Sequence, residues 1–221
     1  LMTKPPVIAI DGPSGSGKGT IASELASKLD FNYLDSGAIY RTLGIAVQKA
    51  NVDFMNHAQI VEIYNKSDIS FESDKPHSVI LNGKDVSMLI RSQMGSDFAS
   101  KLGQIPEIRD ILLEGQRAYR REPGLVADGR DMGTKVFPDA SLKIFLTASV
   151  KERANRRYKQ LITKGIDATL PDLLQDLKER DKRDIERTVS PLKPAEDAVT
   201  LDSTDLTIDE VVNQILKLFL K

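Results

Sequence analysis

The feature that most constrains this chain is the stretch from Val7 to Thr20. Four apolar residues, Val7-Ile8-Ala9-Ile10, end at Asp11 and run straight into Gly12-Pro13-Ser14-Gly15-Ser16-Gly17-Lys18-Gly19-Thr20. Ile21, Ala22, Leu25, Ala26 and Leu29 then recur at helical spacing. A strand, a glycine-rich loop and a helix in immediate succession predict an α/β fold with a phosphate-binding turn. Glycines let the backbone aim its N–H groups inward, and the helix adds its positive amino end. Lys18 contributes a mobile cation for a polyphosphate. A strict loop of this kind carries Ser or Thr directly after the lysine. Here Gly19 intervenes before Thr20, which argues against a direct bond from a threonine hydroxyl to magnesium.

The rest of the chain continues the alternation. A short strand ends at Tyr33-Leu34-Asp35-Ser36, and Ala38 to Ala50 reads as a helix that Ser36 would cap. Leu125-Val126-Ala127-Asp128 and Leu142 to Leu146 read as short buried strands, and Ala198 to Asp202 as a fifth strand. Ile208, Val211, Val212, Ile215, Leu216, Phe219 and Leu220 form one apolar stripe on a last helix. Such alternation implies a parallel sheet covered by helices on both faces. Residues 67–90 break the pattern. Ile69 to Glu72 and Ser78 to Leu81 are strand-like, and Asn82-Gly83 before Lys84 is a strong hairpin signal. This stretch is expected to be a small antiparallel insertion.

Composition narrows the chemistry. The 221 residues contain no cysteine, so disulfides, thiolate nucleophiles and zinc–thiolate sites are excluded. With 31 basic and 32 acidic residues the net charge is −1, which does not suggest a nucleic-acid-binding face. The two histidines, His57 and His77, sit in polar, turn-like surroundings and are expected to be solvated. No apolar run approaches the ~18 residues of a membrane span, and no secretory signal is visible. A cytoplasmic monomer is expected.

In open α/β sheets, ligands bind beyond the carboxyl ends of the strands. Asp11, Asp35 and Asp128 all end strands, so the loops after them should converge. The second of these loops, Asp35-Ser36-Gly37-Ala38-Ile39-Tyr40-Arg41, offers an anion site with Arg41 one turn in. The third, Asp128-Gly129-Arg130-Asp131-Met132-Gly133-Thr134, sets two charges between glycines. From Lys151 to Lys164 the chain carries Lys151, Arg153, Arg156, Arg157, Lys159 and Lys164 against Glu152, a local charge of +5. Such runs are usually solvated faces. Further on, Leu170, Leu173, Leu174 and Leu177 form an apolar stripe. Arg180, Asp184 and Arg187 continue on its flank at i, i+4 and i+7, as if the helix left the core for an anion-binding cleft.

The segments 12–20, 35–41, 128–134 and Glu179-Arg180-Asp181 through Arg187 together closely resemble the bacterial cytidylate kinases, within the nucleoside monophosphate kinases. The resemblance runs from about residue 5 to 215. It implies transfer of a phosphoryl group from ATP to CMP or dCMP. The implied architecture is a three-layer fold with a central five-stranded parallel sheet, a monophosphate-binding insertion and a helical lid. The core would comprise 5–63, 92–148 and 168–221, the insertion 64–91 and the lid 149–167. Residues 12–20 would cradle ATP, that is Gly12, Pro13, Ser14, Gly15, Ser16, Gly17, Lys18, Gly19 and Thr20. Arg153 and Arg157 would face ATP from the lid, with Arg156 competing for the latter role. Ser36, Arg41 and Arg130 would hold the CMP phosphate, and Ser100, Arg109 and Asp131 would read cytosine. Arg180 and Asp184 would contact the sugar, with Arg187 near the transferred phosphate. Lys18, Arg130, Arg180 and Arg187 would form the catalytic set. Magnesium would enter through the ATP phosphates and water, with no direct protein ligand. The alternatives are a kinase for another acceptor such as UMP or shikimate and a regulatory or nucleic-acid-binding P-loop NTPase, although neither a switch signature nor a basic face is present.

Overall fold

The computed structural model describes residues 4–71, 78–163 and 165–221. Five strands form the main sheet: β1 (Val7–Asp11), β2 (Asn32–Asp35), β6 (Leu125–Gly129), β7 (Leu142–Thr147) and β8 (Val199–Asp202), in the order β2-β6-β1-β7-β8. β1 pairs in parallel with β6 (Ile8 opposite Val126) and with β7 (Ile8 opposite Leu142), and β7 pairs in parallel with β8. All five residues of β1 and of β6 are buried. That burial on both faces is why these strands read as continuous apolar runs instead of alternating ones.

The chain divides into two compact units. The first comprises 1–34 and 119–221, and the second 35–118. In the first, α1 (Lys18–Leu29) and α9 (Ile208–Phe219) pack Ile21, Leu25, Val211, Val212 and Ile215 against Ile8, Ile10, Val126 and Ile144 of the sheet. The periodic stripe is this face from Val211 to Phe219, whereas its two ends, Ile208 and Leu220, are exposed. Thr207 caps α9, and Glu210 reaches back to its backbone in a capping box. A separate cluster joins α7 (Val150–Thr163) to α8 (Leu170–Glu186) through Ala154, Leu173 and Leu177.

The second unit holds α2 (Ser36–Lys49), α3 (His57–Lys66), α5 (Gln93–Leu102) and α6 (Pro106–Arg117), with the one-turn helix α4 (Ser87–Ile90). It also carries the antiparallel sheet β3 (Ile69–Phe71), β4 (Val79–Leu81) and β5 (Lys84–Asp85). The hairpin expected at Asn82-Gly83 is present, with φ of 49° and 74° at the two turn residues. Glu72, His77 and Lys164 lie outside the described residues. His57 is half-buried and sits 3.6 Å from Glu107.

Two local expectations need correction. Asp35, and not Ser36, caps α2: its carboxylate accepts the Ala38 N–H at 2.8 Å, and Ser36 is the first helical residue. A carboxylate one residue earlier reaches the orphan N–H groups and complements the helix dipole. Arg187 is the C-cap of α8 with extended backbone (φ −60°, ψ 141°), so it leaves the helical register that Arg180 and Asp184 keep.

Candidate active site

Gly12 begins the loop where no side chain fits, since a Cβ there would fall 2.0 Å from the Leu146 carbonyl oxygen of β7. Gly17 occupies the N-cap of α1 in the left-handed region, φ 93°. It has no side chain to satisfy the first-turn N–H groups, which are left for an anion. Lys18 Nζ folds back into the loop, donating to the Pro13 carbonyl at 2.8 Å and to Ser16 Oγ at 3.5 Å. Ser16 Oγ in turn donates to Pro13 O at 3.0 Å. Thr20, the residue displaced by Gly19, is exposed.

Asp11 and the 128–134 loop are tied together. Both oxygens of Asp11 accept backbone N–H groups, from Met132 and from Gly133, each at 2.8 Å. These open a five-residue π-helix, Met132–Val136. Burial pushes the Asp11 carboxyl up to about 6, the two N–H bonds hold it back, and nearby Asp131 adds to the rise. Asp128, at the end of β6, receives the Tyr33 hydroxyl at 2.7 Å. Asp131 is buried beside this loop.

Partly buried Arg130 pairs with buried Asp184, Nε to Oδ2 at 2.9 Å. Burial alone would lower the guanidinium's affinity for its proton, but the Asp184 charge and hydrogen bond overcome that and raise it. Burial likewise works against the Asp184 carboxylate, and Arg130, with Arg180 and Arg187 beyond it, holds it below the usual range. Lys18 is the exception among the cations. Burial lowers it from 10.5 to about 7, the positive field of Arg130 adds to the fall and Asp128 opposes it; Arg180 also lowers it. Burial first, and the neighbouring cations second, therefore leave the lysine holding its proton weakly. A polyanion would relieve that crowding.

The basic helix α7 is not simply a solvated face. Arg153 is 4% exposed. Its fork grips Asp181 of α8 at 3.0 and 2.6 Å and donates to Ser14 O at 3.0 Å, while Nε donates to Ala148 O. Arg156 donates to Ser16 O at 3.2 Å and to Ser203 O, and pairs with Glu152 at 2.9 Å. Thus Arg153 and Arg156 each clasp a carbonyl of the phosphate loop; Arg157 is partly buried on the same helix. Asp181, Asp11 and Tyr33 were not among the expected site residues, and Arg156 entered only as a competitor of Arg157. Only the position of Asp11 at a strand end hinted at one of them.

In the second unit, Ser36 is buried and donates to Gln116 Oε1 at 2.7 Å, while Gln116 Nε2 donates to Leu112 O and fixes the amide's orientation. Arg41 Nη2 pairs with Asp35 Oδ2 at 2.8 Å, and its Nε is buried with no hydrogen-bond partner among the described residues. Such an orphaned donor on a cation suits an anion. Ser100 is buried on α5. Arg109 on α6 donates to Gly103 O at 3.1 Å and lies 5.7 Å from the Tyr40 ring centroid. No group of three or more His, Cys, Asp or Glu side chains able to hold a metal occurs among the described residues. No described helix is long and apolar enough to cross a membrane.

Comparison with known proteins adds to this geometry. The family model described as cytidylate kinase matches residues 8–221. A protein named cytidylate kinase from Stutzerimonas stutzeri is 53% identical over 219 residues, 97% of this chain and 96% of that protein. One of the same name from Cupriavidus necator is 50% identical over 218 residues, 99% and 97% of the two chains. Among solved structures, an uncharacterized protein from Eubacterium ventriosum aligns with a TM-score of 0.52 at 16% identity, covering 98% of each chain, and so shares the fold.

Proposed function

This chain belongs to the cytidylate kinase family, and from that premise we propose that it transfers the γ-phosphoryl group of ATP to CMP and dCMP, giving ADP and CDP or dCDP. The observation that carries the reading is the glycine loop at the head of α1, where Gly17 leaves the first-turn N–H groups without a side-chain cap and the buried Lys18 ammonium lies folded into the loop beside them. That is the state expected of a loop built to receive a polyphosphate.

A phosphate oxygen of CMP attacks the γ-phosphorus, a new P–O bond forms, and the bond to the β–γ bridging oxygen breaks to release ADP. The CMP phosphate is largely ionised near neutral pH, its second pKa being near ~6, so no general base is required. The barrier is the approach of two anions and their alignment. Residues 12–20 hold the ATP phosphates, and Lys18, Arg130, Arg180 and Arg187 offset the charge that develops. Ser36, Arg41 and Arg130 take the CMP phosphate. Asp131 accepts from the cytosine amino group with help from Ser100, and Arg109 donates to the base's acceptors. Arg180 and Asp184 bind the sugar. Arg153 serves ATP from a lid at 149–167, where Arg156, which clasps Ser16 O, competes with Arg157 for the second place, and 64–91 serves as the monophosphate-binding insertion. Residues 12–20 would hold magnesium only indirectly, through the ATP phosphates and water, where it would offset phosphate charge. The protein acts in the cytoplasm as a monomer, without nucleic acid.

Uracil places an oxygen where cytosine has its amino group, and that oxygen would face the Asp131 carboxylate. A site built on hydrogen bonding rejects such a mismatch by orders of magnitude. The test is kcat/KM for CMP and UMP in the wild type and in Asp131→Asn. A strong CMP preference that narrows in the variant, chiefly by loss of CMP efficiency, supports base reading. Equal loss on both acceptors would replace it with a bracing role.

A further inference from the structure

Gly37 sits in the first turn of α2, at a helical position where glycine is a poor choice by propensity. The reason lies in what surrounds it. A Cβ at 37 would meet Arg41 Nη1 at 2.7 Å, Asp35 Oδ1 at 3.3 Å and Arg41 Cζ at 3.4 Å, with no other atom among its three nearest neighbours. Arg41, one turn on, therefore folds its guanidinium back over the bare α-carbon. There Nη2 meets Asp35 Oδ2 at 2.8 Å, while Asp35 Oδ1 caps the helix at Ala38 N. The missing side chain is the seat of the fork. In this pose Nε of Arg41 is buried and lacks a hydrogen-bond partner among the described residues.

We propose that Gly37 is a positioning residue for the acceptor phosphate: its lack of a side chain holds the Arg41 guanidinium in the orientation that receives the monophosphate. This rests on Arg41 binding that phosphate. The backbone does not demand glycine here, because the residue lies within α2 and is not among the glycines with positive φ. The closest contact a methyl group would make is with the far end of a flexible side chain, and the one to Asp35 Oδ1 needs that carboxylate to give by only a few tenths of an ångström, so the fork moves and the fold does not. The expected effects on folding and on function therefore separate.

The test is a double-mutant cycle of Gly37→Ala and Arg41→Ala, read by melting temperature and by steady-state kinetics with CMP and ATP. Gly37→Ala alone should keep the wild-type melting temperature within about 2 °C or raise it, since alanine favours a helix. It should raise KM for CMP about tenfold or more, the size expected when a charged hydrogen bond is misaligned, and leave KM for ATP within twofold. In the Arg41→Ala background, where no guanidinium remains to be displaced, adding Gly37→Ala should change KM for CMP by less than about twofold. Equal fold-changes in both backgrounds, or no change in KM for CMP when Arg41→Ala itself raises it, would overturn the positioning role and leave the Arg41 role standing. A fall in melting temperature that is the same in both backgrounds would mark a backbone requirement and overturn it too. If Arg41→Ala leaves KM for CMP unchanged, the phosphate assignment fails, and this proposal fails with it.

Discussion

Binding of ATP should draw a proton onto the protein, and the size of that uptake follows from Lys18. Burial and the field of Arg130 leave its ammonium with a pKa of about 7 against an ordinary 10.5. At pH 8.5 a lysine at 7 is almost wholly neutral, whereas one restored to 10.5 by a polyphosphate is almost wholly charged. Uptake should then be about one proton per ATP bound, against about 0.01 for a lysine that was never perturbed. ATP phosphates are fully ionised at this pH and contribute nothing of their own. The assay is titration calorimetry with magnesium and ATP, without an acceptor, in two buffers of different ionisation enthalpy. The dependence of the observed heat on that enthalpy gives the proton count. Lys18→Met keeps the stem and removes the titrating group, so its uptake should vanish. An uptake near zero in the wild type, or one that persists in Lys18→Met, would refute the crowding argument.

Three further outcomes follow from the same geometry. Asp11 has its folded pKa raised to about 6 from 3.8, so its stabilising contribution is fully present below its unfolded pKa and is lost as pH rises through 6. Denaturation of wild type and Asp11→Asn between pH 7 and 4 should show the wild type gaining up to about 3 kcal/mol relative to the variant as pH falls, whereas a constant difference would contradict the assignment. Gln116→Met leaves the buried Ser36 hydroxyl without its acceptor; unfolding free energy should fall by about 1–3 kcal/mol and KM for CMP should rise severalfold, with KM for ATP unmoved. Arg156→Met removes the clasp on Ser16 O and Ser203 and should raise KM for ATP several times more than Arg157→Met does; the reverse order in initial-rate measurements would return the role to Arg157.

The frame of this protein was legible in its residues because it rests on local signals. β1, the glycine loop and α1 are contiguous, β1 and β6 are buried on both faces and so read as unbroken apolar runs, and Asn82-Gly83 encodes its own turn. What was not legible depends on pairing across distance. Arg153 belongs to a run of positive charge that reads as a solvated face. Only its partner Asp181, brought up on α8 by packing of Ala154 against Leu173 and Leu177, makes it a buried fork. Gln116 lies 80 residues from Ser36 and carries no motif. The cap of α2 moved from Ser36 to Asp35 because both residue types cap well and only the chain's path decides between them. Arg187 kept helical spacing in sequence, but α8 ends at Glu186. The depressed pKa of Lys18 arises from burial and from cations on other elements, which no local pattern encodes.

The most direct measurement is ADP formation from ATP with each candidate acceptor supplied in turn: CMP, dCMP, UMP, AMP, GMP and shikimate. We expect rapid turnover with CMP and dCMP, weak turnover with UMP, and none above the acceptor-free background with the rest, together with appearance of CDP in equal amount to ADP. Lys18→Ala should lose that turnover by about 100- to 1000-fold while folding normally. Turnover as fast with UMP or shikimate as with CMP, or ADP released without CDP, would contradict the assignment.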